Sequence, residues 1–170
     1  MKNTAINTLV YTGTVTLSQY INNKKYELAR ISNTGYSPLF EFFSYCLTGD
    51  FDSAKPLLPN KIMLLNITKD EKSNSLNYEG KSGFIYLMSA PKIVNLGVVR
   101  LSFGIPRAYI DGNTKFNGIG LYSDLVDSTD LDMFTACCTL EDNLMGIASG
   151  SSILIVDWEL KISNSTENHA

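Results

Sequence analysis

The chain has 170 residues, with 14 Lys and Arg against 17 Asp and Glu for a net charge of −3. One domain of this size buries about 70% of the surface its unfolded chain exposes, so neither a disulfide nor a structural metal is needed to hold it. Hydrophobic residues reach 44%, but charged residues only 18% against a usual figure of about 25%, and the polarity comes from 45 Asn, Ser and Thr instead.

The acidic balance, with Lys24 and Lys25 as the one adjacent basic pair, argues against the basic stripe a nucleic-acid-binding domain uses to neutralise phosphates. The single histidine, His169, lies where chains commonly fray, which leaves no material for a Ser-His-Asp triad, a Cys-His dyad or a multi-histidine zinc site. Cys46, Cys137 and Cys138 are odd in number. A vicinal pair in a strand sends its sulfurs to opposite faces, so buried free thiols are expected. The N-terminal segment MKNTAINTLVYTGTVTL has no continuous apolar stretch of the signal-peptide kind, and no window approaches 18 apolar residues. The sequence therefore predicts no membrane contact.

In chain order, residues 9–17 alternate as a half-buried strand, with Leu9, Tyr11, Gly13, Val15 and Leu17 on one face and Val10, Thr12, Thr14 and Thr16 on the other. Gly13 marks a bulge or a close approach. Asn22 and Asn23 supply a turn, and residues 25–32 return as the second arm of a hairpin. Asn33, Gly35, Ser37 and Pro38 end that arm. Ser37 suits an N-cap and Pro38 the first helical position. Leu39, Phe42, Phe43, Cys46 and Leu47 then fall on one helical face, and Gly49 stops the helix. This stripe is expected to plug one end or face of the sheet system.

Residues 61–69, KIMLLNITK, are apolar on both faces until Asn66, as in a buried central strand, and KDEKSNSLNYEGKSG reads as a polar loop. Residues 83–89 and 92–94 are short strand candidates. Val99, Leu101, Phe103 and Ile105 face inward from the next strand, which Pro106 ends. Asp111, Gly112 and Asn113 form a turn, and GIGLYS, residues 118–123, returns as a strand. Phe134, Ala136, Cys138 and Leu140 alternate against Thr135, Cys137 and Thr139. After a turn at Gly150, Ser151 and Ser152, the residues Leu154, Val156, Trp158, Leu160 and Ile162 oppose Asp157, Glu159 and Lys161.

Eight or nine strands with one helix do not make a βαβ pattern. They predict an all-β fold, an antiparallel β-sandwich of jelly-roll-like type with one inserted short helix near residues 38–48. The domain is expected over residues 9–163, with an N-terminal arm at 1–8 and a flexible polar tail at 164–170.

Three constellations can be weighed as chemistry. Asp124, Asp127, Asp130 and Asp132 share an acidic loop that could offer oxygens to Ca²⁺, but the spacing lacks the Gly and bidentate Glu of an EF-hand and suits a solvated loop better. Glu41, Asp50, Asp157 and Glu159 are the carboxylates a glycosidase could recruit, yet they sit on separate elements and nothing makes two converge. Trp158 alternates with Leu and Val, which favours core packing over a sugar-stacking platform. No catalytic, cofactor-binding or metal-ligating residue is assigned, and the chain is expected not to be an enzyme. The scarcity of charge points to a surface that is buried in contacts at low desolvation cost.

The blocks YTGTVTLSQYINNKKYELARISNTGYSPLFEFFSYCLTGDF, KIMLLN, LSFGIPRAYIDGNTKFNGIGLYS and SGSSILIVDWELKISN together resemble small all-β proteins encoded among the virion genes of gut tailed bacteriophages, particularly crAss-like phages. The resemblance spans most of residues 9–164 and rests on strand texture and a Gly-bounded aromatic helix. It implies a structural virion protein: a capsid decoration, head-fibre or fibre-attachment protein, or a portal or tail-associated one. It further implies assembly in the host bacterial cytoplasm, with other virion proteins and further copies of the chain as partners. A carbohydrate-binding module for host-surface recognition is the alternative, on the strength of the sandwich, the nine Tyr and the Asp-rich loop.

Overall fold

The computed structural model describes residues 6–35, 38–109, 116–126, 134, 136–140 and 153–167. Among them, ten antiparallel strands and two short α-helices form an all-β sandwich. The strands are β1 (Ile6–Ile21), β2 (Lys24–Gly35), β3 (Pro59–Lys69), β4 (Leu76–Gly80), β5 (Ile85–Tyr86), β6 (Lys92–Asn95), β7 (Val98–Ile105), β8 (Gly118–Ser123), β9 (Ala136–Thr139) and β10 (Ile153–Glu167). Helices α1 (Pro38–Thr48) and α2 (Phe51–Ala54) lie between β2 and β3.

One hydrogen-bonded path, β4-β3-β8-β9-β2-β1-β10-β7-β6, folds over into two layers. The first contains β2, β1, β10, β7 and β6; the second contains β4, β3, β8 and β9. A short ladder at Thr34↔Cys137 and Gly35↔Ala136 joins them along one side. Along the other, β5 pairs with β3, and Leu87 bridges to Phe103 of β7. Both seams are closed, so the sandwich is a flattened barrel with few free edges.

The inward stripes meet in one core. Val15 and Leu17 of β1, Val156 and Trp158 of β10, and Leu101 and Phe103 of β7 face Ile62 and Leu64 of β3 and Ile119 and Leu121 of β8. Val15 lies opposite Trp158 and Leu17 opposite Val156 in the β1–β10 ladder, so alternation at period two places the large side chains on one face. Each such side chain contributes roughly 1.5–3 kcal/mol by leaving water.

The hairpin forms as its Asn pair predicts. Asn22 and Asn23 have φ of 51° and 63°, the left-handed pair that a two-residue type I′ connection requires. Gly13 is a close approach rather than a bulge: a Cβ there would collide with the Asn33 side chain across the ladder. The register shift comes later, between Leu17 and Ser18. β3 is buried on both faces as its apolar run predicts. Ile62 and Leu64 point into the main core, while Met63, Leu65 and Ile67 point the other way into a second cluster with Tyr122, Val126 and Phe134. Phe134 thus belongs to that second cluster, apart from Ala136, Cys138 and Leu140 of the main core, with which its alternation had grouped it.

Three expectations about extent are corrected. Strand pairing begins at Ile6 and continues to Glu167, with Ile6↔Glu167 through Leu9↔Asn164 in register, so the ladder enters the segments expected as arm (1–8) and tail (164–170). Polar Asn, Ser and Thr carry no alternation signal, but their backbone groups pair once a neighbour runs alongside. The polar stretch after β3 contains β4. Its turn is built by the Asp70 carboxylate, which accepts from the Lys72 amide at 2.9 Å and the Ser73 hydroxyl at 2.7 Å, while Asn74 takes φ 57°. The Asn33–Gly35 segment, expected as a turn, continues β2. The proposed turns at 111–113 and 150–152 and the cap at Ser37 lie outside the described residues.

Candidate functional site: the helical insert and the end it covers

The insert between β2 and β3 is the part of the fold that the sheet does not require. α1 runs over the predicted residues and stops at Gly49, whose φ of 76° is the left-handed conformation of a helix end. Asp50 then caps α2, its carboxylate accepting from the Ser53 amide at 3.2 Å. Lys55–Leu57 adds one 3-10 turn, with Leu57 buried, before β3 begins. α1 packs on α2 and on this turn.

The aromatic stripe is narrower than its spacing predicts. Phe42, Phe43 and Cys46 are half-buried, but Leu47 is 88% exposed. The outer surface of the insert also shows Phe51 at 67% and Phe40 at 59%. On the inner side, Phe42 and Phe43 look across a cavity of about 430 Å³ at Tyr11, Val99, Leu160 and Ile162, the ends of the inward stripes of β1, β7 and β10. The insert therefore faces these stripe ends across an open space, and the plug expected of its stripe is not formed by close packing on the strands.

Asn60 and Asp124 also border this cavity, and Asn60 Nδ2 donates to Asp124 Oδ1 at 2.7 Å. Lys55 borders it as well. Two buried polar atoms of the lining residues, the Tyr11 hydroxyl and Asn60 Oδ1, have no hydrogen-bond partner. Burial pushes the Tyr11 phenol well above its ordinary range. A second, wider hollow of about 840 Å³ lies where β1 and β2 part from β3, β4 and β9, bordered by Thr12, Ser32, Tyr78 and Thr139.

The carboxylates weighed as a glycosidase pair are held apart or neutralised. Glu41 and Asp50 belong to the insert. Asp157 and Glu159 share the outer face of β10, where Asp157 accepts from Ser102 Oγ at 2.6 Å and from Lys25 Nζ at 3.1 Å, and Glu159 takes the Arg100 guanidinium at 2.6 and 3.0 Å. Of the acidic loop, Asp124 is described and is tied to Asn60; Asp127, Asp130 and Asp132 lie outside the described residues, as does His169. No group of three or more His, Cys, Asp or Glu suited to a metal ion occurs among the described residues.

Trp158 is fully buried in the main core. Cys138 sits in that core while Cys137 packs against the second cluster, so the two sulfurs do face opposite ways, and burial pushes both thiols up to about 12. Sequence reasoning passed over Lys61. It is buried on β3, donates to the Val126 carbonyl at 2.7 Å and lies 4.3 Å from the centre of the Phe84 ring. Lysine inside an apolar run is the signal that marks it, and the two contacts explain how it is tolerated there.

No known family model, curated protein or solved structure matches the chain. Among the described residues no helix is long and apolar enough to cross a membrane.

Proposed function

We propose that this chain is a non-enzymatic structural subunit of a bacteriophage particle, a capsid-decoration, head-fibre or fibre-attachment protein that docks onto other virion proteins through its helical insert. The observation that carries the reading is the outer face of that insert, where Phe40, Leu47 and Phe51 are held in water by ordered backbone. Apolar side chains concentrated on an inserted element mark an interaction surface more often than scattered single ones do. The edge strand β6 adds Ile93, 81% exposed. The likeness of the sequence blocks to virion proteins of crAss-like phages supplies the particle context and further copies of the chain as partners, with assembly in the host cytoplasm.

Enzymatic readings are disfavoured by the way Asp157 and Glu159 are spent on Lys25, Ser102 and Arg100. The test is incorporation. In particles of a phage carrying this gene, the wild-type chain is expected at fixed copy number and at a defined place in an electron-microscopy reconstruction. A Leu47→Ser/Phe51→Ser variant, still folded by circular dichroism, is expected to be missing from them. Particles that lack the wild-type chain, or that carry the variant at wild-type level, defeat the proposal.

A further inference from the structure

We infer that the helical insert docks onto a second copy of this chain, at the tip of its β1–β2 hairpin, so that copies associate head to tail. The inference rests on the docking role proposed above and names the partner of that same face. The two surfaces lie at opposite ends of the first layer. The inner side of the insert borders Tyr11 and Ile162, which pair in the β1–β10 ladder, whereas the hairpin tip follows Tyr20, which pairs with Ile153. Tyr11 and Tyr20 stand roughly 30 Å apart along β1. A chain therefore cannot bring its own insert to its own hairpin.

Both ends expose apolar side chains, and their charges are opposite. On α1, Phe40 and Leu47 are spaced i and i+7 and share a face, which Phe51 of α2 and Leu58 extend. Around them stand Glu41, Asp50 and Asp52, all exposed and in no ion pair among the described residues, against Lys55 as the one base of the insert. At the hairpin, Ile21 lies opposite Lys24 and Gln19 opposite Tyr26, so Ile21, Lys24 and Tyr26 share a face. Ile21, Tyr26 and the neighbouring Leu28 and Ile153 are exposed. The charges at this end are Lys24, Lys25 and Arg107, which follows β7 just beyond the Leu154↔Ile105 pair; the carboxylate of Glu27 is held by Arg30. A second copy thus offers the insert both apolar cover and positive charge. Insert against insert, or hairpin against hairpin, would set like charges together. A contact between two different patches is heterologous, and it repeats into a ring or a filament instead of stopping at a dimer.

The experiment is sedimentation velocity on the full chain, over about 10 µM to 1 mM to suit a small interface. The weight-average mass is expected to rise with concentration past that of a dimer, and association to weaken about fivefold between low salt and 0.5 M salt. Lys24→Glu and Asp52→Lys, each folded by circular dichroism, should each weaken it about tenfold. An equimolar mixture of the two should regain association, because the altered hairpin of one then meets the altered insert of the other. A zero-length carbodiimide, applied to mixed isotopically light and heavy chains, should join Lys24 of one copy to Glu41, Asp50 or Asp52 of another. A wild-type chain that stays monomeric, a mass that stops at a dimer, or cross-links that join insert to insert overturns the assignment, and none of these outcomes depends on a variant folding. A chain that enters phage particles yet stays monomeric in solution overturns this inference and leaves the docking role standing, whereas particles that lack the chain defeat the virion reading whatever its mass in solution.

Discussion

The two layers of the sandwich share one core but finish their outer faces in opposite ways. On the first layer the outer residues of β10 and its neighbours are charged and paired: Lys25 with Asp157, Arg100 with Glu159, and Glu27 with Arg30 on the adjoining β2. On the second layer the outer residues of β3 and β8 are Met63, Leu65, Ile67 and Tyr122, roofed by Phe84, Phe134, Val126 and Tyr78. The Tyr122 ring meets Phe84 edge-on at 5.4 Å and Phe134 at 6.3 Å, and Tyr78 meets Phe134 at 5.1 Å. A face finished by exposed ion pairs contributes little stability, while a face finished by a second apolar cluster contributes as a core does.

Removing an apolar anchor from the second layer tests this contrast most severely. Leu65→Ala is expected to cost about 2–5 kcal/mol in urea unfolding followed through Trp158 fluorescence. A loss below about 1 kcal/mol would mean that the outer cluster is a loose cover. Adding volume to the same face is the next largest effect. A Cβ on Gly120 would stand 2.7 Å from the Tyr122 ring, so Gly120→Ala should cost about 1–3 kcal/mol through overpacking, and Tyr122→Leu should relieve much of it in a double-variant cycle.

Between the two clusters, β9 offers a pH probe. The Cys138 thiol is raised by burial in the fold, to about 12, but titrates near 8.5 when the chain unfolds. Its contribution is complete below that unfolded value and is lost as pH rises toward 12, because the unfolded state releases a proton the folded state retains. Wild-type stability should therefore fall more steeply than that of Cys138→Ala between pH 9 and pH 11, in parallel unfolding curves at each pH. Equal slopes would contradict a desolvated thiol. The smallest effect belongs to the charged face: Glu159→Gln should cost under about 1 kcal/mol, and less again in 1 M salt. A larger, salt-independent loss would show that this face is as integral as the other.

The sequence patterns that survived were those set by local periodicity. Alternation at Leu154, Val156 and Trp158, the Asn22-Asn23 pair, and the Pro38-to-Gly49 helix bounds each depend on neighbours a few residues apart, and each is where it was expected. What failed depended on partners far along the chain. β4 hides in a polar stretch because its pairing to β3 is made by backbone, with Asn77 and Glu79 facing water, and only the Asp70 and Asn74 turn residues hint at it. The second cluster was invisible because Phe84 and Phe134 meet Tyr122 only after β3 and β8 pair. The exposure of Leu47 escaped for the converse reason: helical spacing says which residues share a face, but not how far that face reaches onto the sheet.

The place of β10 in the first layer has a kinetic consequence. It lies between β1 and β7, in register with Ile6–Tyr20 on one side and with Val98–Ile105 on the other, although more than 130 residues separate paired positions such as Val15 and Trp158. As the polypeptide leaves the ribosome, both flanking strands are made long before the strand that joins them. Until then each presents an open edge and an uncovered apolar stripe, the state in which all-β chains are most prone to associate wrongly. High contact order of this kind places folding in the millisecond-to-second range, and the arrival of Trp158 marks the moment at which the two edges are sealed together.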